Sequence, residues 1–215
     1  MTTTADAHVL SRWRASPTRL VRLVVGLWVF GTGEALLVHS ELGNGPWTVL
    51  AEGVALHTPL TIGIATQLIG VLVLAGWIPL RERPGLGTIC NVILIGLAID
   101  VMLPLLPSQT GLTTQVASVL LGIALVGLGS GLYLTARLGP GPRDGLMTGL
   151  HQRFGWPLSR IRLGIELSVL VLGWLLGGTV GLATVAFAVL IGPAVGTAVG
   201  LLGGPPSRPA PPTRS

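Results

Sequence analysis

The sequence predicts an all-α polytopic membrane protein with six transmembrane helices arranged as two inverted three-helix repeats. Each repeat is expected to carry a short amphipathic or re-entrant helix after its first span. Three observations predict this fold: long apolar blocks, arginines confined to alternate connections, and an internal repeat. Of the 215 residues, 50% are hydrophobic and 10% are charged, whereas ordinary soluble domains carry roughly 25% charged residues. This composition excludes a soluble globular domain and a disordered chain.

The apolar blocks are each long enough for a membrane helix, which needs about 20 mostly apolar residues. They lie at about 20–40, 60–80, 85–106, 112–136, 157–177 and 180–201. The first block follows several arginines, as a signal peptide would. However, Glu34 interrupts this block and no small-residue cleavage site follows it. We therefore predict an uncleaved first span.

The basic residues indicate the orientation of the spans. All 13 are arginine, and none lies in the connections 41–59, 107–111 and 178–179. Arginines flank cytoplasmic ends of membrane helices, so both termini are expected to be cytoplasmic. The net charge of +5 would otherwise suggest nucleic acid as a partner. Because the arginines alternate with apolar blocks instead of forming one basic face, we expect no nucleic-acid binding.

An internal repeat relates the two halves of the chain at an offset near 96. The segment LGNGP at 42–46 returns as LGPGP at 138–142, and four further matches, one before it and three after it, occur in the same order in both halves. Since each copy holds three spans, the second copy would enter the membrane from the opposite side. The predicted organisation is a cytoplasmic Arg-rich segment at 1–19, membrane repeats at 20–106 and 112–201, and a disordered Pro-rich cytoplasmic tail at 203–215.

A glycine–proline motif follows the first span of each repeat. Its residues are Gly43, Gly45 and Pro46 in the first copy and Gly139, Gly141 and Pro142 in the second. Glycine suits a helix cap and proline suits the first helical position, so a short helix should begin at each motif. Such a helix could lie at the membrane interface or enter the protein. Paired Gly/Pro-interrupted segments are typical of transporter binding sites.

Polar residues in the outer third of the first repeat form the first candidate site. Glu34, Gln67 and Asp100 fall at similar depth in three predicted spans. Charged groups inside a membrane are costly, so these residues are candidates for a solute-binding or gating role in an outward-facing cavity. The alternative is that Glu34 and Asp100 lie near the wet interface and only cap or orient helices.

Charged residues at the inner side form the second candidate site. Arg162 and Glu166 are four residues apart and should pair on one helix face, and Arg143 and Asp144 at the second short helix could join them. Further polar residues at similar depth are Asn91, Ser130 and Tyr133. The alternative is a structural latch across the repeat interface, because buried ion pairs can specify geometry instead of binding ligands.

Glycines in the predicted spans indicate close helix packing, and the sequence lacks the common catalytic motifs. Nine glycines are expected to permit close helix packing: Gly31, Gly33, Gly127, Gly129, Gly131, Gly164, Gly173, Gly192 and Gly196. The sequence contains no P-loop, no HExxH motif and no nucleophile elbow. We therefore expect no enzymatic activity, no cofactor and no metal.

The run GPGPRDGLM at 139–147 resembles the signature of the YczE family of bacterial membrane proteins, relatives of the YitT group. The segments 42–47, 87–91 and 95–100 support the resemblance, and Ala183 departs from it where the family usually has glycine. The resemblance covers about residues 20–200. It implies a multi-pass protein of the bacterial cytoplasmic membrane, and it implies no particular reaction.

Together these features favour a small-solute secondary transporter or permease-like protein with its site between inverted repeats. Its expected partners are the lipid bilayer and a small-molecule solute. The alternative is a non-transporting accessory or scaffold protein that regulates a partner enzyme. In that case a membrane-protein partner or a second copy of the chain would bind it.

Overall fold

The computed structural model describes residues 12–203. Within this range the chain is helical and contains no strand. The helices are α1 (Pro17–Ser40), α2 (Pro46–Leu56), α3 (Ile62–Ala75), α4 (Trp77–Leu80), α5 (Leu86–Met102), α6 (Leu112–Thr135), α7 (Pro142–Phe154), α8 (Leu158–Leu175) and α9 (Leu182–Leu201), with a 3₁₀ turn at Leu103–Leu105. Part of the predicted N-terminal segment 1–19 and nearly all of the predicted tail 203–215 lie outside the described residues.

Between residues 12 and 203, five helical segments are long and apolar enough to cross a membrane: Pro17–Ser40, Ile62–Leu80, Leu86–Leu105, Leu112–Thr135 and Leu182–Leu201. They correspond to five of the six predicted spans. The predicted span 157–177 is also a helix, α8, with 18 residues. It is not among the five, and it carries three charged residues: Arg160, Arg162 and Glu166.

The centre of the fold is the crossing of α1 and α6, where backbone meets backbone. A Cβ added at Gly33 would lie 2.6 Å from the carbonyl oxygen of Gly122, and one added at Gly129 would lie 2.5 Å from that of Gly26. Only glycine permits this approach. The same test finds close neighbours at six of the nine glycines singled out above. The prediction is wrong at Gly164, Gly192 and Gly196, where a Cβ would meet open space.

A second set of contacts recurs 96 residues apart along the chain. The Gly87 amide donates to the Leu138 carbonyl at 2.8 Å, and the Ala183 amide donates to the Leu42 carbonyl at 3.0 Å. In each case the segment after one long helix binds the first turn of a helix from the other half.

Threonine caps reinforce both of these helix starts. Thr88 Oγ1 accepts from the Gly85 amide at 3.1 Å, and Thr184 Oγ1 accepts from the Gly181 amide at 3.2 Å. The two halves of the chain are thereby joined twice by the same local chemistry.

Arginine-bearing segments gather at one end of the helix bundle. Arg19, in the first turn of α1, donates to the carbonyls of Ala136 and Arg137 after α6, at 2.8 and 2.7 Å. The Leu86 amide, at the start of α5, donates to the Arg12 carbonyl at 3.2 Å. The structure therefore brings together at this end arginines from the N-terminal segment and from the connection after α6.

Glycine packing in the α1–α6 crossing can be tested by substitution. Gly33→Ala and Gly129→Ala should each lower stability by about 1–3 kcal/mol, because the added methyl group meets backbone atoms that cannot rotate away. Thermal unfolding of the purified protein in detergent measures the effect.

The matched control is Gly192→Ala in α9, where the new Cβ meets open space. It should be neutral or stabilising, because alanine favours a helix over glycine by about 1 kcal/mol. Equal effects at all three positions would contradict close packing as the cause.

Candidate functional site

The two short helices begin with the same backbone geometry. Gly45 caps α2 with φ −64° and ψ 154°, and Gly141 caps α7 with φ −63° and ψ 158°. Two residues before each cap, Gly43 and Gly139 have φ of +119° and +120°. A side chain there would be strained, so glycine lets the chain turn sharply from each long helix into a short one. The predicted glycine–proline starts of both helices are confirmed.

The first turns of α2 and α7 border a common cavity of about 430 Å³. Residues from α1, α2, α5, α6, α7, α8 and α9 line it. A helix N-terminus carries a partial positive charge and free N–H groups. Two such termini therefore face a space of the size that small ligands occupy.

Glu34 lies on the α1 side of this cavity and is 2% exposed. Its Oε2 accepts a hydrogen bond from Thr48 Oγ1 at 2.6 Å. Since Thr48 lies in the first turn of α2, this bond connects α1 to the start of the short helix. A buried carboxyl group needs such a partner, because leaving it unbonded is costly.

Arg143 lies in the first turn of α7, at the position that Trp47 holds in α2. Its guanidinium carbon lies 4.6 Å from the centroid of the Trp47 ring on α2, within the range of a cation–π contact. This contact joins the first turns of the two short helices. Within residues 12–203, no carboxylate oxygen lies within 4.0 Å of the guanidinium nitrogens, so their N–H groups remain available to a ligand oxygen in the cavity.

Asp144 is held by the neighbouring long helix. Tyr133 of α6 donates its hydroxyl to Asp144 Oδ2 at 2.9 Å. An acidic residue in the first helical turn is also favoured by the helix dipole. Both residues line the cavity.

Arg162 and Glu166 pair as their spacing predicts. The Arg162 Nε lies 2.9 Å from Glu166 Oε1, and both residues line the cavity. Both members of the pair lie on α8. Among the described residues, no hydrogen bond or ion pair joins this pair to Arg143 or Asp144.

The remaining inner candidates also meet at the cavity. Asn91, Ser130 and Tyr133 line it together with the charged residues described above. The sequence prediction that these side chains share one inner pocket therefore agrees with the geometry.

The outer candidates do not meet in one site. Asp100 accepts from Thr61 Oγ1 at 2.5 Å and from the Gly63 amide at 2.8 Å, which fixes the start of α3. Gln67 donates to the Ile93 carbonyl at 2.9 Å. Neither residue lines the cavity that contains Glu34. The predicted grouping of Glu34, Gln67 and Asp100 is thus wrong, because equal depth in the membrane does not fix which way each side chain points.

Residues 17–199 match the family described as "Family of unknown function (DUF6198)". The chain belongs to this family. No solved structure matches it.

Three relatives illustrate the family. An uncharacterized protein of Haemophilus influenzae is 45% identical over 185 residues, covering 86% of this chain and 85% of the relative. The uncharacterized membrane protein YczE of Bacillus subtilis is 35% identical over 170 residues, covering 78% and 79%. The uncharacterized protein YyaS of Bacillus subtilis is 26% identical over 164 residues, covering 74% and 82%. The resemblance to the YczE family is therefore confirmed.

The sequence analysis did not identify the structural role of Glu52, a carboxylate outside the cavity. Glu52 on α2 accepts from Asn44 Nδ2 at 2.8 Å, from the Thr179 amide at 2.7 Å and from Thr179 Oγ1 at 2.7 Å. These bonds fasten the short helix to the connection between α8 and α9. The only sequence signal was an acidic residue in an otherwise apolar short helix.

Thr48 was also missed, and its bond to Glu34 can be tested. Thr48→Val keeps the shape of the side chain and removes the donor. It should lower stability by about 1–3 kcal/mol, because the carboxyl group stays buried without its partner. Unfolding of the detergent-purified protein measures the loss, and Thr48→Ser should restore most of it.

The matched control is Thr148→Val on α7. Thr148 is exposed and bonds only a carbonyl of its own helix, so this change should have a much smaller effect. If Thr48→Val is no more destabilising than Thr148→Val, the Thr48–Glu34 bond does not contribute to stability.

Proposed function

We propose that this protein is a six-span membrane protein of two inverted repeats that moves a small polar solute, as a secondary transporter or permease-like protein. The observation that carries the proposal is the cavity at which both short helices begin. Many secondary transporters bind substrate at a repeat interface, where interrupted helices direct their N-termini at charged groups of the solute.

The recurrence of contacts supports the inverted repeat. Under an offset of 96, the pair Gly87–Leu138 becomes Ala183–Leu42, which is the second hydrogen bond of the same kind. Each bond joins one half of the chain to the other, so exchanging the halves leaves the set of bonds unchanged. A pseudo-twofold axis between the halves produces this pattern.

The position of two charged residues of α8 at the cavity is compatible with a sixth span. Arg162 and Glu166 line the cavity, and their pairing offsets part of the cost of placing charge in a membrane. The helix has 18 residues, about the minimum for crossing a membrane.

The clustered arginines at the start of α1 and the end of α6 favour cytoplasmic termini, in a bacterial cytoplasmic membrane.

The cavity chemistry suits a solute with polar or charged groups. Arg143 and the two helix N-termini would receive an anionic group, and Glu34 and Asp144 would receive a cationic or hydrogen-bond-donating group. Arg162 and Glu166 would complete the inner side as binding or gating residues. Asp100 and Gln67 have structural partners, so we assign solute contact to Glu34 alone among the three outer candidates.

The topology can be tested by cysteine labelling in a Cys90→Ser background. With a membrane-impermeant maleimide, cysteines at Thr58, Ser108 and Val180 should react in intact cells. Cysteines at Arg83 and Gln152 should react only after permeabilisation. Labelling of Gln152 and Val180 from the same side would contradict a membrane-spanning α8.

Solute binding can be tested by thermal unfolding of detergent-purified protein with amino acids, small carboxylates and inorganic ions as probes. A bound probe at 100 times its dissociation constant should add about 2.7 kcal/mol of stability. Glu34→Gln and Glu166→Gln should abolish this increment. Probes that stabilise the protein are then tested for uptake into proteoliposomes.

The matched control variants are Glu52→Gln and Asp100→Asn, which change carboxylates outside the cavity. They should lower basal stability and keep the increment from the probe. If transport survives neutralisation of the cavity carboxylates, the assigned roles are wrong. A copurifying protein partner without any solute flux would instead favour the accessory or scaffold function.

A further inference from the structure

A second, open space lies outside the solute cavity, at the end of the bundle where arginines gather. This groove has a volume of about 760 Å³, and Arg12, Arg19, Arg22 and Arg137 line it. Among the described residues, no aspartate or glutamate lines it. Four positive charges thus share one surface depression without a neutralising carboxylate.

The groove lies where candidate membrane spans end. It includes residues from the first turns of α1, the last turn of α6 and the residues after α9. Its apolar wall contains Leu134 and Leu202. A groove lined by arginine and leucine residues where three candidate spans end is expected at the depth of lipid headgroups.

The four arginines differ in their hydrogen-bond partners. Arg19 is structural, because its guanidinium donates to the carbonyls of Ala136 and Arg137 at 2.8 and 2.7 Å and to that of Arg14 at 3.2 Å. Arg12 donates to the Arg83 carbonyl at 3.4 Å. Arg22 is half-buried and Arg137 is exposed, and the guanidinium groups of these two bond no residue within 12–203.

The sequence outside the described range adds little negative charge. Residues 1–11 contain one acidic residue, Asp6, and residues 204–215 contain none but add Arg208 and Arg214. Like charges held close together repel, so a bound anion in the groove would relieve that repulsion. Guanidinium groups suit phosphate, because their N–H donors match two oxygens at once.

We propose that this groove binds the phosphate headgroup of an anionic phospholipid from the cytoplasmic leaflet. Arg22 and Arg137 contact the phosphate, and Arg19 holds the ends of α1 and α6 together beneath it. Leu134 and Leu202 contact the glycerol and upper acyl chain. The proposal depends on the membrane location of the protein and is independent of any solute in the central cavity.

The experiment uses the full chain purified in detergent, with phosphatidylglycerol, cardiolipin or phosphatidylcholine added. Lipid binding is followed by native mass spectrometry and by the midpoint of thermal unfolding. The two anionic lipids should bind and raise the midpoint, and phosphatidylcholine should not. The double variant Arg22→Gln/Arg137→Gln should bind them about 25-fold more weakly, at about fivefold for each basic residue removed.

The matched control is Arg81→Gln/Arg160→Gln, which removes two exposed arginines outside the groove. It should keep the affinity of the wild type for anionic lipid. Equal losses in the two double variants would overturn the groove and leave only general attraction to negative surfaces. If the double glutamine variant fails to fold, the single variants Arg22→Gln and Arg137→Gln replace it, and each should bind about fivefold more weakly than the wild type. The double variant Arg22→Lys/Arg137→Lys keeps the charge, and its affinity should lie between those of the wild type and the two single glutamine variants.

The last experiment adds inorganic phosphate or glycerol phosphate at millimolar concentration in place of lipid, and as a competitor of bound lipid. If they raise the unfolding midpoint as much as the lipids do and displace bound phosphatidylglycerol, the site belongs to a soluble phosphate compound and the lipid proposal is wrong. If they leave the lipid in place, the acyl contacts contribute as proposed.

Discussion

Two backbone hydrogen bonds hold the segments that lead into both short helices. The amides of Gly87 and Ala183 reach across to the carbonyls of Leu138 and Leu42, so the chain after each long helix is held by the other half. That position forces a sharp turn at Gly43 and Gly139, and the turn directs the first residues of α2 and α7 inward. Both turns thereby place the starts of α2 and α7 at the cavity. The backbone at these two turns therefore determines which side chains reach the cavity.

The cavity charges form a sequence of contacts instead of one tight cluster. Thr48 bonds Glu34, Trp47 lies against Arg143, and Tyr133 bonds Asp144. Each contact reaches between helices, so movement of either short helix changes the surroundings of a charged group. In an interior of low dielectric such changes alter electrostatic energies more than they would in water. Charge and helix position are therefore coupled at this site.

Local features of the fold were predictable from sequence, and long-range ones were not. The start of α2 and α7 follows from glycine and proline, whose preferences act within a few residues. The Glu52–Thr179 contact joins residues 127 apart, and nothing near either residue indicates it. The sequence predicted that Asp100 and Glu34 lie at similar depth in their spans. However, successive residues are rotated by about 100° around a helix axis. Side chains at one depth therefore face different neighbours, and Asp100 faces the start of α3.

Placing Glu34 in the central cavity changes the proposed mechanism from two sites to one. The sequence suggested an outer group with Glu34 and a separate inner group with Arg143 and Asp144. In the structure these residues line one cavity, and Asp100 and Gln67 bond helix backbone or capping groups elsewhere. Alternating access requires one site that opens to each side in turn, because two separate sites would need a further transfer step between them. A single cavity bordered by both short helices would meet that requirement of the proposed transport.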